Sequence, residues 1–311
     1  MAMRAAVGLM MPSGWLQRPP GERSELLNSI GDAGLDHVAV GDHVSFFVGA
    51  GFDGLVQATA LAAGHDWLPV HTAVYLLPLR HPVTVARQLA SFHELAPARL
   101  VFGVGVGGED RREIANCGVD PATRGRRTDE MLDLLRRLAT GYPVTQAGEF
   151  FELDEAWIEP PLDPPIPILV GGRSDAAVAR AARYGDGWLG IWVSPRRFAE
   201  VVAEVDELSA ALPDGGRTEP FTHELNVWCG FGTDADRARA AVAGPMEAFY
   251  QLPFERFERY SPFGTPAQVA EGLVPYVEAG CGSFNLIAPG GSEEEVIAAA
   301  GEVAERLGRI G

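Results

Sequence analysis

The sequence has 311 residues, of which 47% are hydrophobic and 22% charged, a composition typical of a globular protein. Acidic residues outnumber basic ones by 42 to 25, the formal net charge is −17, and every one of the 25 basic residues is an arginine. This excess of negative charge disfavours nucleic acid and anionic membrane surfaces as partners and leaves small molecules as the expected ligands.

Short apolar runs alternate with longer amphipathic stretches along almost the whole chain. Most of the runs are apolar at consecutive positions, which is typical of parallel strands covered on both faces. The predicted strands are Ala5–Met10, His37–Val40, Val70–Leu77, Leu100–Val106, Ile166–Val170, Gly187–Trp192, Leu225–Phe231 and Phe284–Ala288. The predicted helices are Arg23–Ala33, Pro82–Leu95, Thr128–Ala139, Asp175–Tyr184, Pro195–Leu212, Asp234–Phe249, Pro266–Ala279 and Glu293–Leu307.

This alternation predicts an α/β fold, a single (β/α)8 TIM barrel, rather than an open doubly wound sheet. About eight β/α units are the expected content of a barrel of this length, and no change of composition marks a linker. We therefore expect one domain over residues 1–311. Two irregular stretches, residues 141–165 and residues 213–223 with the following segment 233–266, are expected to be insertions at the C-terminal face of the strands.

The N-terminus and the cysteines predict a cytoplasmic protein. The first residues lack the long apolar run of a signal peptide, and no run approaches the ~20 residues of a membrane span. Cys117, Cys229 and Cys281 are an odd number of cysteines without CxxC or zinc-type spacing, which favours free thiols in a reducing compartment.

The ends of the predicted strands carry the candidate functional residues, because active sites of (β/α)8 barrels lie there. Asp42 and His43 follow the second strand, next to Phe46. A neutral histidine both donates and accepts hydrogen bonds and titrates near pH 7, so it suits proton transfer. The alternative, a polar end to a buried strand, stays open at this point.

Two glycine-rich strand ends could accommodate a cofactor. Gly171 and Gly172 precede Arg173 and Ser174 at a predicted helix start, where free N–H groups can bind an anion. Gly107, Gly108 and Glu109 follow the fourth strand, which also contains Gly103 and Gly105. Glycines weaken a strand, so a close approach of a ligand to this backbone is one explanation, and ordinary tight turns are the other.

Other catalytic signatures are missing from the sequence. The remaining histidines have no metal-ligand spacing, and there is no GxSxG motif and no Walker Gly-Lys. We therefore predict no metal site and no serine or cysteine nucleophile.

Several blocks, taken together and in this order, resemble the bacterial luciferase-like flavin and deazaflavin oxidoreductases. They are SELLNSIGDAGLDHVAVGDHV, HTAVYLLPLRHPVTVARQLASFHELAPARLVFGVGVGG, RGRRTDEMLDLLRRL, PPIPILVGGRSDAAVARAARYGDGW and GTPAQVAEGLVPYVEAG. The resemblance covers nearly the whole chain. It implies a TIM barrel that binds coenzyme F420 or FMN at the carboxyl ends of its strands.

The resemblance also implies roles for individual residues. Asp42 and His43 match the Asp-His pair at the cofactor ring, with His43 as the group that transfers a proton or stabilises charge. Glu109 lies within one residue of a glutamate that assists catalysis in some F420-dependent sugar-phosphate dehydrogenases, with one extra glycine before it. Ala73 and Val74 match the family's non-prolyl cis peptide that backs the cofactor ring.

The cofactor expected from the resemblance is F420, with FMN as the alternative. FMN-dependent luciferases place an arginine in the turn after the fourth strand, where this chain has Val106. Arg173 could still bind FMN phosphate. The predicted function is hydride transfer between F420 and a small organic substrate; the alternatives are an FMN-dependent monooxygenase and a binding protein without turnover. Family members are often dimers, so a homodimer is expected.

Overall fold

The computed structural model describes residues 4–49, 51–108, 110–213 and 215–309. Its strands are β1 (Ala6–Met10), β2 (His37–Val40), β3 (Val70–Leu76), β4 (Leu100–Gly105), β5 (Val144–Ala147), β6 (Glu152–Ala156), β7 (Ile168–Gly171), β8 (Gly187–Ile191), β9 (His223–Trp228), β10 (Gly230–Phe231), β11 (Phe263–Gly264) and β12 (Cys281–Ile287).

Most of the helices follow strands, and four short 3-10 segments accompany them. The α-helices are α1 (Pro20–Asp32), α2 (Gly54–Gly64), α3 (Pro82–Leu95), α4 (Arg111–Asn116), α5 (Arg124–Leu138), α6 (Asp175–Tyr184), α7 (Pro195–Ala210), α8 (Ala235–Tyr250), α9 (Pro266–Glu278) and α10 (Glu293–Gly308). The 3-10 segments are Trp15–Gln17, Leu77–Leu79, Phe254–Arg256 and Glu258–Tyr260.

Eight parallel strands form a closed barrel in the order β1-β12-β9-β8-β7-β4-β3-β2. This confirms the predicted (β/α)8 TIM barrel. By internal contacts the chain divides into two compact units. The first comprises the residues up to Ala39 together with those from Gly187 onward, and the second runs from Val40 to Asp186.

The first unit contains a buried polar network among its strands. The ring Nε2 of His37 lies 2.7 Å from Oδ1 of Asn285, and Nδ2 of Asn285 donates to Glu224 at 3.0 Å and to Asn226 at 2.9 Å. A Cβ on Gly8 would lie 2.2 Å from the His37 ring, so β1 needs a glycine at this register. Such a network is stable in a core because its buried polar groups are paired.

The second unit is built on β3, β4 and β7, which pair in parallel in that order. The predicted cis bond between Ala73 and Val74 is present in β3. The antiparallel hairpin of β5 and β6 lies in the stretch 141–165, which the sequence predicted as irregular, so that prediction was wrong. The hairpin connects α5 to β7, which puts it at the amino-terminal ends of the strands, so its predicted place at the C-terminal face was wrong as well. Alternating polar and apolar residues such as Thr145 and Leu153 suit a surface hairpin.

All three cysteines are free; Cys229 and Cys281 are buried and Cys117 is half-buried.

Within the described ranges, the helices are too short or too polar for any of them to cross a lipid bilayer.

Buried His223 makes the stability of the first unit sensitive to pH. Its ring is 3% exposed, and its Nδ1 accepts a hydrogen bond from the backbone N–H of Trp188 at 3.2 Å. Burial lowers the pKa of His223 to about 4 from its ordinary value of 6.5. The unfolded chain therefore binds this proton first, so the histidine's contribution to stability is complete above pH 6.5 and is lost as pH falls towards 4.

We expect His223→Gln to reduce the pH dependence of stability. Glutamine can still accept from Trp188 but cannot titrate, so the loss of unfolding free energy between pH 7 and pH 4 should be about 3 kcal/mol smaller than in the wild type. Urea unfolding at both pH values measures it, with exposed His81→Gln as the control. If the wild type and His223→Gln lost the same unfolding free energy between pH 7 and pH 4, the lowered pKa of His223 would be contradicted.

Candidate active site

Asp42 is a buried carboxylate surrounded by hydrogen-bond donors. It lies two residues after β2 and is 3% exposed. Its Oδ1 accepts from the backbone N–H of Gly54 at 2.8 Å, and its Oδ2 accepts from that of Leu76 at 2.8 Å. Arg80 donates to both oxygens at 2.7 Å in a bidentate pair. The carboxylate thus joins the end of β2 to the end of β3 and to the start of α2.

Arg80 is held from several sides. Its Nη2 also donates to Asp53, the N-cap of α2, at 2.8 Å, and its Cζ lies 4.3 Å from the centre of the buried Tyr75 ring. Burial raises the pKa of the Asp42 carboxyl, and the Arg80 charge and the hydrogen bonds to Asp42 oppose that rise. Because its neighbours here are donors, Asp42 serves as an anchor rather than as a proton carrier.

His43, the next residue, is oriented by Glu113 of α4. The histidine Nδ1 lies 3.2 Å from Oε2 of Glu113, which is 3% exposed. The other carboxylate oxygen, Oε1, accepts from the backbone N–H groups of Val44 at 2.7 Å and Ser45 at 3.1 Å. The imidazole also stacks on Phe46, with ring centroids 4.0 Å apart. One carboxylate therefore fixes both the loop and the imidazole.

This contact determines the tautomer of the neutral imidazole. An ionised carboxylate only accepts hydrogen bonds, so Nδ1 of His43 carries the proton that it donates to Glu113. The other ring nitrogen, Nε2, is then the acceptor and the base.

Ala73 and Val74 form a half-exposed step in the middle of β3. Their neighbours in the strand, Thr72 and Tyr75, are fully buried, whereas both residues of the cis pair are partly exposed. Gly105 of β4 makes room beside them, because a Cβ there would lie 2.5 Å from Cγ2 of Val74. The strand therefore leaves two small side chains partly exposed between buried neighbours.

Two glycine turns follow β4 and β7, which are adjacent strands. Gly107 has a φ of 70°, Gly108 is exposed, and Nε of Arg124 donates to the carbonyl of Gly107 at 3.3 Å. Gly172 has a φ of 131°, and a Cβ there would meet that of Ala177 at 2.8 Å. Left-handed backbone of this kind favours glycine.

The second of these turns leads into a capped helix. Ser174 is the N-cap of α6 and accepts from the N–H of Ala177 at 3.3 Å, and Arg173 before it is exposed. This is the arrangement in which backbone N–H groups and a cation can bind a phosphate.

The predicted site residues that the structure describes lie in the second unit, most of them at or after strand ends and two in the middle of a strand. They are Asp42 and His43 after β2, Ala73 and Val74 in β3, Gly107 and Gly108 after β4, and Gly171, Gly172, Arg173 and Ser174 at the end of β7. Glu109 lies outside the described residues. Glu113 and Arg80 could not be identified from the sequence. Their spacing from His43 and Asp42 along the chain does not indicate that they contact these residues.

The barrel, its strand-end histidine and its glycine turns define a (β/α)8 protein with a candidate cofactor site. The model of the luciferase-like monooxygenase family matches residues 8–282, and the chain belongs to that family. An uncharacterized protein of Mycobacterium tuberculosis is 36% identical over 179 residues, which are 58% of this chain and 60% of that protein. The chain thus aligns with less than two thirds of that relative's length.

Two further similarities extend over most of the chain. The F420-dependent glucose-6-phosphate dehydrogenase of Kineococcus radiotolerans is 27% identical over 303 residues, covering 88% of this chain and 89% of that enzyme. Among solved structures, an F420-dependent secondary alcohol dehydrogenase in complex with an F420-acetone adduct matches with a TM-score of 0.83 at 21% identity, covering 97% of this chain and 98% of that one. At that identity the structural match supports the fold alone.

We expect Arg80→Met to destabilise the protein by about 3–5 kcal/mol, because it leaves the Asp42 carboxylate buried without its counter-charge. Without Arg80 the pKa of Asp42 rises further above its unfolded value. The folded state then gains a proton more readily, so the stability difference from the wild type should shrink as pH falls from 8 to 5. Urea unfolding across this range measures both effects.

Arg80→Lys is the matched control for charge. It keeps a positive charge but cannot form the bidentate pair, so its loss of stability should be smaller. If Arg80→Met and Arg80→Lys lost the same stability at every pH, the role assigned to the Asp42–Arg80 pair would be contradicted.

Proposed function

We propose that this chain is an F420-dependent oxidoreductase that transfers hydride between C5 of the deazaflavin and a small organic substrate. The observation that carries the proposal is the His43–Glu113 contact. It fixes a proton-accepting nitrogen one residue from Asp42, and Asp42 is itself bonded to the backbone of Leu76, two residues beyond Val74. The candidate base is thus tied to the strand that would support the cofactor ring.

The residues present fit such a cofactor. The half-exposed step at Ala73 and Val74 suits a planar ring, and the glycine turns before Arg173 and after β4 suit its phosphate-bearing chain. When bound, the deazaflavin supplies the hydride-carrying carbon, and the protein supplies position and electrostatics.

His43 would handle the proton that accompanies hydride transfer. When a substrate hydroxyl is oxidised, its carbon gives up hydride and its oxygen loses a proton, which Nε2 of His43 accepts. In the reverse direction the same nitrogen returns the proton to the oxygen. Glu113 orients the ring through Nδ1 in both directions, so His43 is the proposed catalytic residue and Glu113 a positioning residue.

The choice of F420 over FMN rests on the turn after β4 and on the relatives. Val106 offers no cation where FMN-dependent members carry an arginine, and the F420-dependent relative aligns over 88% of this chain. The alternative, an FMN-dependent monooxygenase, is favoured by exposed Arg173 beside Gly172, which could pair with the FMN phosphate.

Titration of the purified protein with F420 and with FMN tests the proposal. We expect F420 to bind with a micromolar or lower Kd and FMN to bind at least about tenfold more weakly, since one charge-assisted contact is worth about 1.5–3 kcal/mol. Micromolar FMN binding without F420 binding, together with oxygen consumption when reduced flavin is supplied, would establish the alternative instead.

Glu113→Gln tests the positioning role. The glutamine oxygen can still accept from Val44 and Ser45, but its NH2 group would donate to Nδ1 of His43 and move the ring proton to Nε2. We expect the rate of hydride transfer to fall about 10- to 100-fold while F420 affinity is unchanged.

The tautomer gives a readout independent of activity. Imidazole ¹⁵N spectra should report protonated Nδ1 in the wild type and protonated Nε2 in Glu113→Gln, with His43→Gln identifying the signal. Glu113→Asp, which keeps the acceptor, should retain the wild-type tautomer. If Glu113→Gln kept both the wild-type tautomer of His43 and the wild-type rate of hydride transfer, the positioning role of Glu113 would be contradicted.

A further inference from the structure

The start of α5 contacts the turn that follows β3. Nε of Arg127 donates to the carbonyl of Pro78 at 2.9 Å, and its Nη2 donates to the carbonyl of Arg80 at 3.4 Å. Pro78 belongs to the 3-10 segment Leu77–Leu79, and Arg80 is the residue that ends it. One side chain of α5 therefore holds the backbone of this turn on either side of the Cα atom of Arg80.

This end of α5 is itself firmly held. Nε of Arg124 donates to the carbonyl of Gly107, after β4, at 3.3 Å. From α6, Arg180 donates to the carbonyl of Gly125 at 3.1 Å and pairs with Asp129 at 2.6 Å, and the Arg180 side chain is buried. All these residues lie in the second unit. The helix end can therefore serve as a fixed support for the turn after β3.

The charge of Arg127 is compensated by these carbonyls rather than by an acid. In the part of the chain that the structure describes, no carboxylate oxygen lies within ion-pair distance of its half-buried guanidinium. Its Cζ lies 4.3 Å from the centre of the Phe151 ring, which is 4% exposed and packs edge-on against His81. Burial lowers the pKa of Arg127, and the charge of Glu130 opposes this shift. Because a half-buried cation needs acceptors, the two carbonyl contacts are specific features of this turn.

The turn after β3 supplies two of the donors to the Asp42 carboxylate. Leu76, the last residue of β3, donates through its backbone N–H, and Arg80 donates through its guanidinium. Nη1 of Arg80 also donates to the carbonyl of Leu76 at 3.2 Å, which closes the turn on itself. A change in the backbone of this turn would therefore move both donors together. Asp42, which receives them, immediately precedes the proposed base, His43.

We propose that Arg127 is a positioning residue of the candidate active site. By holding the turn after β3, it keeps the Arg80 guanidinium and the Leu76 N–H in place for Asp42, and the anchored carboxylate fixes the orientation of His43. The inference rests on the proposed function in taking His43 as the group that accepts and returns the proton. Arg127 acts through Arg80 and Asp42 and not on the reacting atoms, so its removal should loosen the site without removing any group that reacts.

Amide hydrogen exchange in Arg127→Met tests the first step of this chain of contacts. We expect the Leu76 N–H, which donates to Asp42, to exchange at least about tenfold faster than in the wild type, because a charge-assisted hydrogen bond is weakened. The N–H of Phe102, which donates to the carbonyl of Pro167 at 2.8 Å in the same unit, should keep its rate. A purely global loss of stability would instead raise both rates.

The imidazole of His43 gives the second readout. In the wild type the contact with Glu113 favours the tautomer with the proton on Nδ1, so the two ring ¹⁵N shifts should be far apart. We expect Arg127→Met to bring these shifts closer together, because a less firmly oriented ring samples both tautomers. Both measurements use the protein without F420, so they do not depend on the proposed function.

Arg136→Met is the matched control, and Arg127→Lys is the conservative variant. Arg136 lies on the same helix and also donates to a backbone carbonyl, that of Tyr184 at 2.9 Å, so its loss should leave both readouts unchanged. Lysine keeps the charge at position 127 but lacks the planar fork that reaches two carbonyls, so the Leu76 N–H should exchange about threefold faster than in the wild type. This smaller effect keeps the inference testable if Arg127→Met does not fold.

The contrary results can be told apart. The inference is overturned if Arg127→Met leaves the Leu76 exchange rate or the His43 shifts unchanged, or if Arg136→Met changes them equally. Where Arg127→Met does not fold, a wild-type exchange rate of Leu76 in Arg127→Lys overturns it. If F420 fails to bind while Leu76 and His43 respond to Arg127, the proposed function falls and the positioning role stands. If F420 binds and neither group responds, only the positioning role is rejected.

Discussion

The buried pair of Asp42 and Arg80 is the interaction on which the candidate site depends. A carboxylate with almost no exposure is tolerable only where donors surround it, and here two backbone N–H groups and a bidentate guanidinium do so. The consequence is geometric: the loop after β2, the end of β3 and the start of α2 converge on one group of atoms. A loop that could otherwise move is thereby fixed before any ligand arrives, which is the condition for a catalytic group to act without reorganisation.

Asp42 and His43 are adjacent in sequence but have different hydrogen-bond partners and different roles. The backbone turns so that the carboxylate meets Arg80 inside the protein, while the imidazole meets Glu113 and stacks on Phe46. An acid next to a histidine in sequence is easily mistaken for its hydrogen-bond partner. In this protein the partner of His43 is Glu113, from a short helix about 70 residues later. The neighbouring Asp42 instead links the backbone of Gly54 and Leu76.

Much of the fold could be predicted from the sequence, because buried parallel strands such as β4 are short continuous apolar runs and amphipathic helices such as α6 have a helical period. Helix α2 was missed because GLVQATALAAG is apolar on most sides and resembles a continuation of the loop. The strand-end position of His43 and the cis bond at Ala73 could also be predicted, the latter from the family resemblance. Glu113 and Arg80 could not, since a contact between residues far apart in sequence depends on tertiary packing.

The division of the chain into two units has a consequence for how this protein can diversify. The groups proposed to handle the proton and the cofactor lie in one continuous stretch, from Val40 to Asp186, whereas the other unit combines residues from both ends of the chain. Strand β1, from the first of these ends, pairs with β12, from the second. Exchange of the stretch that holds the proposed machinery between two family members therefore takes two crossovers, near Ala39 and near Gly187, because a single crossover near Gly187 would separate β1 from its natural β12.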